Sequence, residues 1–247
     1  MLTENKFSKY LLYAIGEIVL VVIGILIALQ INNANESNKL EKVELGYLNR
    51  LLIDLEKDQN LWTGTIEQKN KQLNAIRKIG DIAYFNQDSI FSVLDHIPYA
   101  LVWNDLNPHQ TTFNEMLSGG NLNLIKNDSI KIKLLELDDT YNSEINRVNT
   151  FKIEHTNTME AFRATVSFRN VALLMRNTES LKPTEIEVLN HEIRKDLKVM
   201  VNDKKFINNL IGLGYNYDNQ LKTINGLRIQ TEHLIELIQN EVDNRMK

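Results

Sequence analysis

Residues 11–29, LLYAIGEIVLVVIGILIAL, decide how this chain is organised. Thirteen of these nineteen residues are Leu, Ile or Val, and Glu17 is the only charged one. As a helix the run is about 28 Å long, which matches the hydrocarbon core of a bilayer. The free energy gained by inserting so many apolar side chains outweighs the cost of one acid. The sequence therefore predicts a transmembrane helix over residues 11–31.

A cleaved signal peptide is the alternative interpretation of this run. Such peptides have an apolar region of about 7–15 residues that ends at a small-residue cleavage site. This run is longer and leads into Gln30, Ile31 and Asn32, which favours an uncleaved signal anchor. Lysines on the two sides nearly balance, so charge alone does not decide the orientation. We expect residues 1–10 to be a short cytoplasmic stub, with the anchor in the inner membrane and the rest of the chain in the periplasm.

One face of the predicted span carries its acid together with most of its small residues. Gly24-x-x-x-Ala28 is a pattern that allows two helices to approach closely in lipid. The spacing therefore predicts a homo-oligomer that turns Glu17 inward. A carboxyl group at this depth is either a neutral, hydrogen-bonded structural group, part of an ion path, or a contact with a different membrane protein. The residues of this predicted interface are Ala14, Glu17, Val21, Gly24 and Ala28.

The remaining sequence predicts an all-α fold. Only 10 Gly and 3 Pro occur in 247 residues, too few for a loop-rich β protein. Residues 32–44 are a linker or a continuation of the first helix, and residues 45–247 form a soluble up-down bundle of about four main helices with short accessory helices. Three apolar stripes at helical spacing support this: Leu45 to Ile76, Leu134 to Val166, and Phe206 to Val242. Gln59 and Lys69 interrupt the first stripe.

Local signals predict where the shorter helices begin and end. Gly119 and Gly120 are expected to end one helix, residues 176–180 to form a loop, and Pro183 to open another short helix. Pro98 and Pro108 are expected to interrupt helical structure in the segment that follows the short helix starting at Asp88. Side chains suited to the start of a helix are Asp88, the capping box of Thr112 and Glu115, Asp128, and Asn202 or Asp203.

The sequence contains no recognisable catalytic, metal or cofactor motif. There is no Cys, none of the five His lies in an HExxH or Glu-x-x-His pattern, and no Gly-rich phosphate loop is present. The net charge of −4 argues against nucleic-acid binding. Tyr215 and Tyr217, beside Gly212 and Gly214, either line a small-molecule pocket or pack at a helix crossing. His155, on an apolar stripe, is predicted to be a core residue.

Two stretches resemble a known family. They are residues 2–17 (LTENKFSKYLLYAIGE) with 22–33 (VIGILIALQINN), and residues 112–122 (TFNEMLSGGNL) with 124–127 (LIKN). This pattern resembles a family of uncharacterised single-pass membrane proteins of Gram-negative bacteria. The resemblance implies a topology and no activity.

These observations favour a non-enzymatic, membrane-anchored helical domain that acts by binding or assembly, with the lipid bilayer and a second copy as partners. The alternatives are a periplasmic small-molecule sensor that works with another membrane or periplasmic protein, and a subunit of an ion-conducting complex that uses Glu17. No cofactor is expected.

Overall fold

A computed structural model describes the backbone of residues 4–176 and 181–246. Within these ranges the chain is all-α, as predicted, with seven α-helices, two short 3₁₀ helices and no strand. Of the loop expected at residues 176–180, only Arg176 is described, and it is the last residue of a helix. The remaining four residues lie outside the described ranges.

The first helix, α1, runs without interruption from Glu4 to Phe85, a length of 82 residues. It contains the apolar run and is long and apolar enough to cross a membrane. Residues 32–44 therefore continue the helix and are not a separate linker. All residues from 11 to 40 are exposed, whereas from Glu44 onward one stripe of α1 is buried. The helix is thus apolar on all sides over residues 11–29, mostly polar over residues 30–43, and amphipathic from residue 44 onward.

The chain then returns along α1 in short pieces. After α1 it forms a 3₁₀ helix, Gln87–Ser92, then α2, Val93–Ala100, then an extended segment, α3, Thr111–Ser118, and a second 3₁₀ helix, Asn121–Leu124. Contacts with α1 follow in reverse order along this leg. Gln72 donates to the Val102 carbonyl over 2.8 Å, Thr112 donates to Asp54, and the Lys126 N–H donates to Glu44 over 2.7 Å.

Two further long helices complete the bundle. Helix α4, Asp128–Thr165, runs parallel to α1, and α7, Lys204–Met246, runs antiparallel to it. Helices α5, Phe168–Arg176, and α6, Pro183–Asn202, pack only beside the half of the bundle farther from the apolar run. The result is an up-down bundle with four legs, the second of which is segmented.

Several predicted helix boundaries are wrong, and at Thr112 a tertiary contact replaces the expected cap. Asp88 lies inside the 3₁₀ helix and Pro98 lies inside α2. Thr112 lies inside α3, where its N–H and hydroxyl donate to Asp54 on α1 instead of forming a capping box with Glu115. Glu115 is paired with Arg50.

The cap of α4 is Asn127, one residue before the predicted Asp128. Its side-chain oxygen accepts from the N–H groups of Ser129 and Ile130 over 3.0 and 3.4 Å. Other boundaries are as predicted. Gly119 ends α3, Gly120 has a left-handed φ of 67°, and Asp203 accepts from the Lys205 N–H at the start of α7. Helix α6, with 20 residues, is longer than the short helix expected from Pro183.

A buried ion pair closes the end of the bundle from which α1 emerges. Glu44 is 1% exposed, and the Arg245 guanidinium donates to its two carboxylate oxygens over 2.5 and 3.0 Å. Arg245 also pairs with Glu241, which accepts from Asn127 at the start of α4. Three legs and the C-terminal turn of α7 are therefore joined where α1 leaves the bundle.

The predicted stripes form the core. Leu137 on α4 and Leu210 on α7 are 4% and 2% exposed. Leu137→Ala and Leu210→Ala are each expected to lower the free energy of unfolding by about 2–5 kcal/mol, because each removes buried methyl groups and leaves a cavity. Denaturant unfolding in detergent measures this loss. Leu135→Ala, at a position on α4 that is 42% exposed, is the control and should cost less than about 0.5 kcal/mol. Equal effects at positions 135 and 137 would contradict the assigned face.

Candidate functional site

The bundle has two apolar cores rather than one. One core surrounds Ile79, Leu197 and Phe206, in the half farther from the apolar run. The other surrounds Leu48, Trp62 and Ile238 in the nearer half. Where the two meet, all three long helices turn polar side chains inward. We call this set the polar layer, and it consists of Lys69 and Gln72 on α1, Glu144 and Arg147 on α4, and Asn216, Gln220 and Thr223 on α7.

Helical spacing explains why these side chains share one level. In each helix they lie three or four residues apart, so they occupy the same face. Arg147 donates to Thr223 over 2.6 Å and forms an ion pair with Glu144, which links α4 to α7. Asn216 donates to Glu154, which lies two turns beyond Arg147 on α4. These hydrogen bonds join α4 to α7 at this level of the bundle.

Lys69 is the least satisfied member of the polar layer. The side chain is buried, and its ammonium group lies 4.2 Å from the centre of the Tyr217 ring. Burial lowers the pKa of Lys69 to about 8, against a weaker opposing effect of the Glu144 charge. Among the described residues, no carboxylate lies within 4 Å of its nitrogen. The site thus contains a cation that has been desolvated without a full counter-charge.

Burial also affects the acids and phenols of the layer. It raises the pKa of Glu144, although Arg147 and Lys69 oppose the shift. It likewise raises the pKa of the Tyr217 hydroxyl, which has no hydrogen-bond partner among the described residues. One oxygen each of Gln72, Glu144 and Gln220 is also buried without such a partner. Unpartnered polar atoms at this density are unusual in a protein interior.

A half-open cavity of about 420 Å³ borders the polar layer. Its walls come from α1, the segment between α2 and α3, α4 and α7. Lys69 and Gln220 lie at its polar side, and Leu61, Leu106, Val148 and Ile224 provide apolar wall. The remaining lining residues are Asn60, Gly64, Thr65, Gln68, Asn104 and Asp105. The cavity is large enough for a small organic molecule.

A second buried polar group lies closer to the apolar run. Asp58, 1% exposed, accepts from the His109 N–H over 2.7 Å and from the Tyr141 hydroxyl over 2.8 Å, and its other contact is the His109 ring at 2.9 Å. Burial and the Asp58 charge raise the pKa of Tyr141. The adjoining space is only about 20 Å³, too small for a substrate. Asp58 therefore anchors the segment before α3 to α1.

The residues predicted from the sequence fall in two separate places. Ala14, Glu17, Val21, Gly24 and Ala28 are exposed on one side of α1, outside the bundle. Tyr215 is 69% exposed, whereas Tyr217 is fully buried beneath Lys69, so the two rings do not line one pocket. Gly214 instead has the other predicted role, which is close packing where two helices cross. A Cβ atom at Gly214 would lie 3.3 Å from Ile76 on α1.

Sequence reasoning missed the polar layer, although part of its signal was visible. Lys69 stands out as a break in the first apolar stripe. The residues that face it, on α4 and α7, cannot be identified from that break. His155, predicted to be a core residue, is only half-buried, and its ring nitrogen lies 2.7 Å from the Leu101 carbonyl.

The pKa of Lys69 predicts a stability that rises with pH. Between pH 8 and 10 the folded chain has released this proton, while the unfolded chain, with a lysine pKa of 10.5, still holds it. The unfolded state then binds more protons, so the free energy of unfolding should increase by about 2 kcal/mol over this range. Above about pH 10 the trend should reverse, because the unfolded chain ionises its tyrosines while buried Tyr141 and Tyr217 stay protonated.

Denaturant unfolding between pH 7 and 10 tests this. Lys69→Met keeps the side-chain volume and should remove the rise. It should leave the chain at least as stable as the native one at pH 7, because it removes a desolvated charge. Lys71→Met, two residues along the same helix at an exposed position, should keep the rise. A rise that survives Lys69→Met would assign it to another group.

Comparison with known proteins adds a family and no activity. A family profile described as "Family of unknown function (DUF6090)" matches residues 17–151. The match runs from Glu17 in the apolar run, through the whole of the segmented leg, into α4. No curated protein and no solved structure matches the chain. Because the matched residues make up more than half of the sequence, the chain belongs to this family of unknown function.

Proposed function

We propose that this protein is a membrane-anchored helical bundle that acts by assembly and binding rather than by catalysis. One observation carries the proposal: the apolar run and the first leg of the bundle are a single helix, and every residue from 11 to 40 of that helix is exposed. An exposed helical segment of this length and hydropathy needs lipid or another protein around it. We propose lipid together with a second copy.

The features of α1 support self-association through the span. A Cβ atom at Gly24 would meet nothing within 4 Å, so a neighbouring helix has room to approach there. Lipid supplies little hydrophobic drive between helices, so close packing at small residues and polar contacts must provide the association. Glu17 lies on the same face and would gain a hydrogen-bond partner in place of lipid. The ion pair of Glu44 with Arg245 would then hold each bundle in a fixed orientation relative to its own span.

Gly24→Ile is expected to reduce self-association at least tenfold, because the added side chain separates the helices at their closest approach. Energy transfer between donor- and acceptor-labelled chains in lipid vesicles measures this self-association. Gly16→Ile is the matched control, since it makes the same change about a third of a turn away from the interface. Glu17→Gln should assemble normally, because it keeps the hydrogen bond. Equal effects of Gly24→Ile and Gly16→Ile would refute the interface.

We further propose that the bundle lies outside the cytoplasm, with the span in the inner membrane. Large domains are translocated largely regardless of the charges near an anchor, so this orientation is compatible with the balanced lysines. The absence of cysteine from the sequence makes it directly testable.

Asn240→Cys introduces one thiol at an exposed position of α7. A membrane-impermeant maleimide should label it in intact spheroplasts, because the bundle faces the periplasm. Ser8→Cys, on the other side of the span, should be labelled only after the membrane is permeabilised. The reverse labelling pattern would show that the orientation is opposite.

Sensing is a second candidate function, favoured by the cavity beside the polar layer. Its walls include residues 60–69 of the helix that also carries the span. A ligand held there would contact α1, α4 and α7 together. Such a sensor would work together with another membrane or periplasmic protein.

A further inference from the structure

We infer that the cavity between α1, α4 and α7 is a binding site for a small monocarboxylate that has a short apolar body and a hydrogen-bond donor. The inference rests on the second of the proposed functions, sensing, and is independent of assembly through the span. Three properties of the cavity lead to it: its charge, its unpartnered acceptor and its apolar wall.

The charge of the cavity calls for one negative group. Lys69 and Asp105 are the charged residues in its lining. Asp105 lies at the mouth, where Trp103 donates to it over 2.9 Å and Lys152 lies 3.7 Å away. Lys69 is buried. The acid whose charge acts on it is Glu144, and Glu144 is already paired with Arg147. One buried cation is balanced by one anion, and a single carboxylate provides that charge without the second charge of a phosphate.

The acceptor is Gln220. Its side chain is 1% exposed and lines the cavity, and its amide oxygen has no partner among the described residues. A buried oxygen of this kind gains a hydrogen bond only from a donor that enters the site. A hydroxyl or amine next to the ligand's carboxylate would provide one, while the carboxylate binds Lys69.

The apolar wall limits the rest of the ligand. Leu61, Leu106, Val148 and Ile224 cover the side of the cavity away from Lys69. A branched chain of four or five carbon atoms would bury its surface there, and a fully polar acid would not. We therefore choose 2-hydroxy-4-methylpentanoate as the probe, because it combines the three features within nine heavy atoms.

Titration calorimetry of the full chain in detergent tests the site. We expect a saturable Kd of about 0.1–1 mM, as is usual for a ligand of this size. The primary amide of the same acid lacks the charge and should bind at least tenfold more weakly. The acid without the hydroxyl should bind several-fold more weakly. Lys69→Met should abolish binding of the acid, and Gln220→Met should remove the advantage of the hydroxyl.

The pH dependence identifies the cation. The groups that face Lys69 are Glu144 on α4 and Tyr217 on α7, and Asp105 is the other charged residue of the cavity lining. Above pH 8 the free site loses the Lys69 proton, so the affinity should fall about tenfold per pH unit, and it should be nearly constant between pH 6 and 7. Lys71→Met should leave both the affinity and this profile unchanged.

Three outcomes would overturn the inference: no saturable binding below 10 mM, equal binding of the acid and its amide, or unchanged affinity in Lys69→Met. Because that variant is expected to remain folded, its loss of binding can be separated from unfolding by the denaturation curve of the same sample. Calorimetry reports the site and energy transfer reports the span, so either proposal can fail without the other.

Discussion

The continuity of α1 is the constraint on which the rest of the structure depends. A helix of 82 residues without a proline has to satisfy two environments in turn. Over residues 11–40 every side is exposed and apolar side chains predominate, whereas beyond Glu44 only one stripe is buried. The other legs of the bundle can therefore pack against α1 only from the residue at which its buried stripe begins. The pair of Glu44 with Arg245 marks that point, because it joins the emerging helix to the last turn of the chain.

The segmented leg shows how a series of short elements can cover one side of a long helix. Several of its contacts with α1 are polar and directional. Acids on α1, among them Asp54 and Asp58, accept from backbone N–H groups of the leg, which would otherwise be unsatisfied. Tyr47 accepts from Asn121 over 2.9 Å and donates to Glu115. The stretch TFNEMLSGGNL thus combines buried anchors, such as Phe113 and Met116, with the hydrogen bonds that fix its position.

The polar layer has a cost and a structural consequence. Burying Lys69, Glu144 and Gln220 between two apolar cores stabilises the fold less than leucines of similar volume would. The layer also favours a single axial alignment of α1, α4 and α7. A shift of one helix by one turn would place charged groups against apolar side chains. Such specificity is an established use of buried polar residues in helical assemblies. The same incomplete pairing leaves hydrogen-bonding capacity facing the adjacent cavity.

The sequence by itself determined the elements whose signal is repeated along the chain. The apolar run, the three stripes and the all-α class follow from periodicity, and many residues contribute to each of them. Single-residue signals were less reliable. Asp88 and Thr112 have the right chemistry to cap a helix, but Thr112 has a better partner in Asp54, which lies 58 residues away. Only the tertiary structure decides between a local cap and a distant acceptor of similar strength.

The same reason explains the candidate site. Lys69 was visible as a break in a stripe, yet the residues around it come from helices 75 and about 150 positions farther along the chain. Tyr215 and Tyr217 are two residues apart and lie on different sides of α7, since positions i and i+2 of a helix do not face each other. Periodicity fixes which side of a helix is buried. The level at which two helices meet depends on how their side chains pack, and that is decided only when the bundle forms.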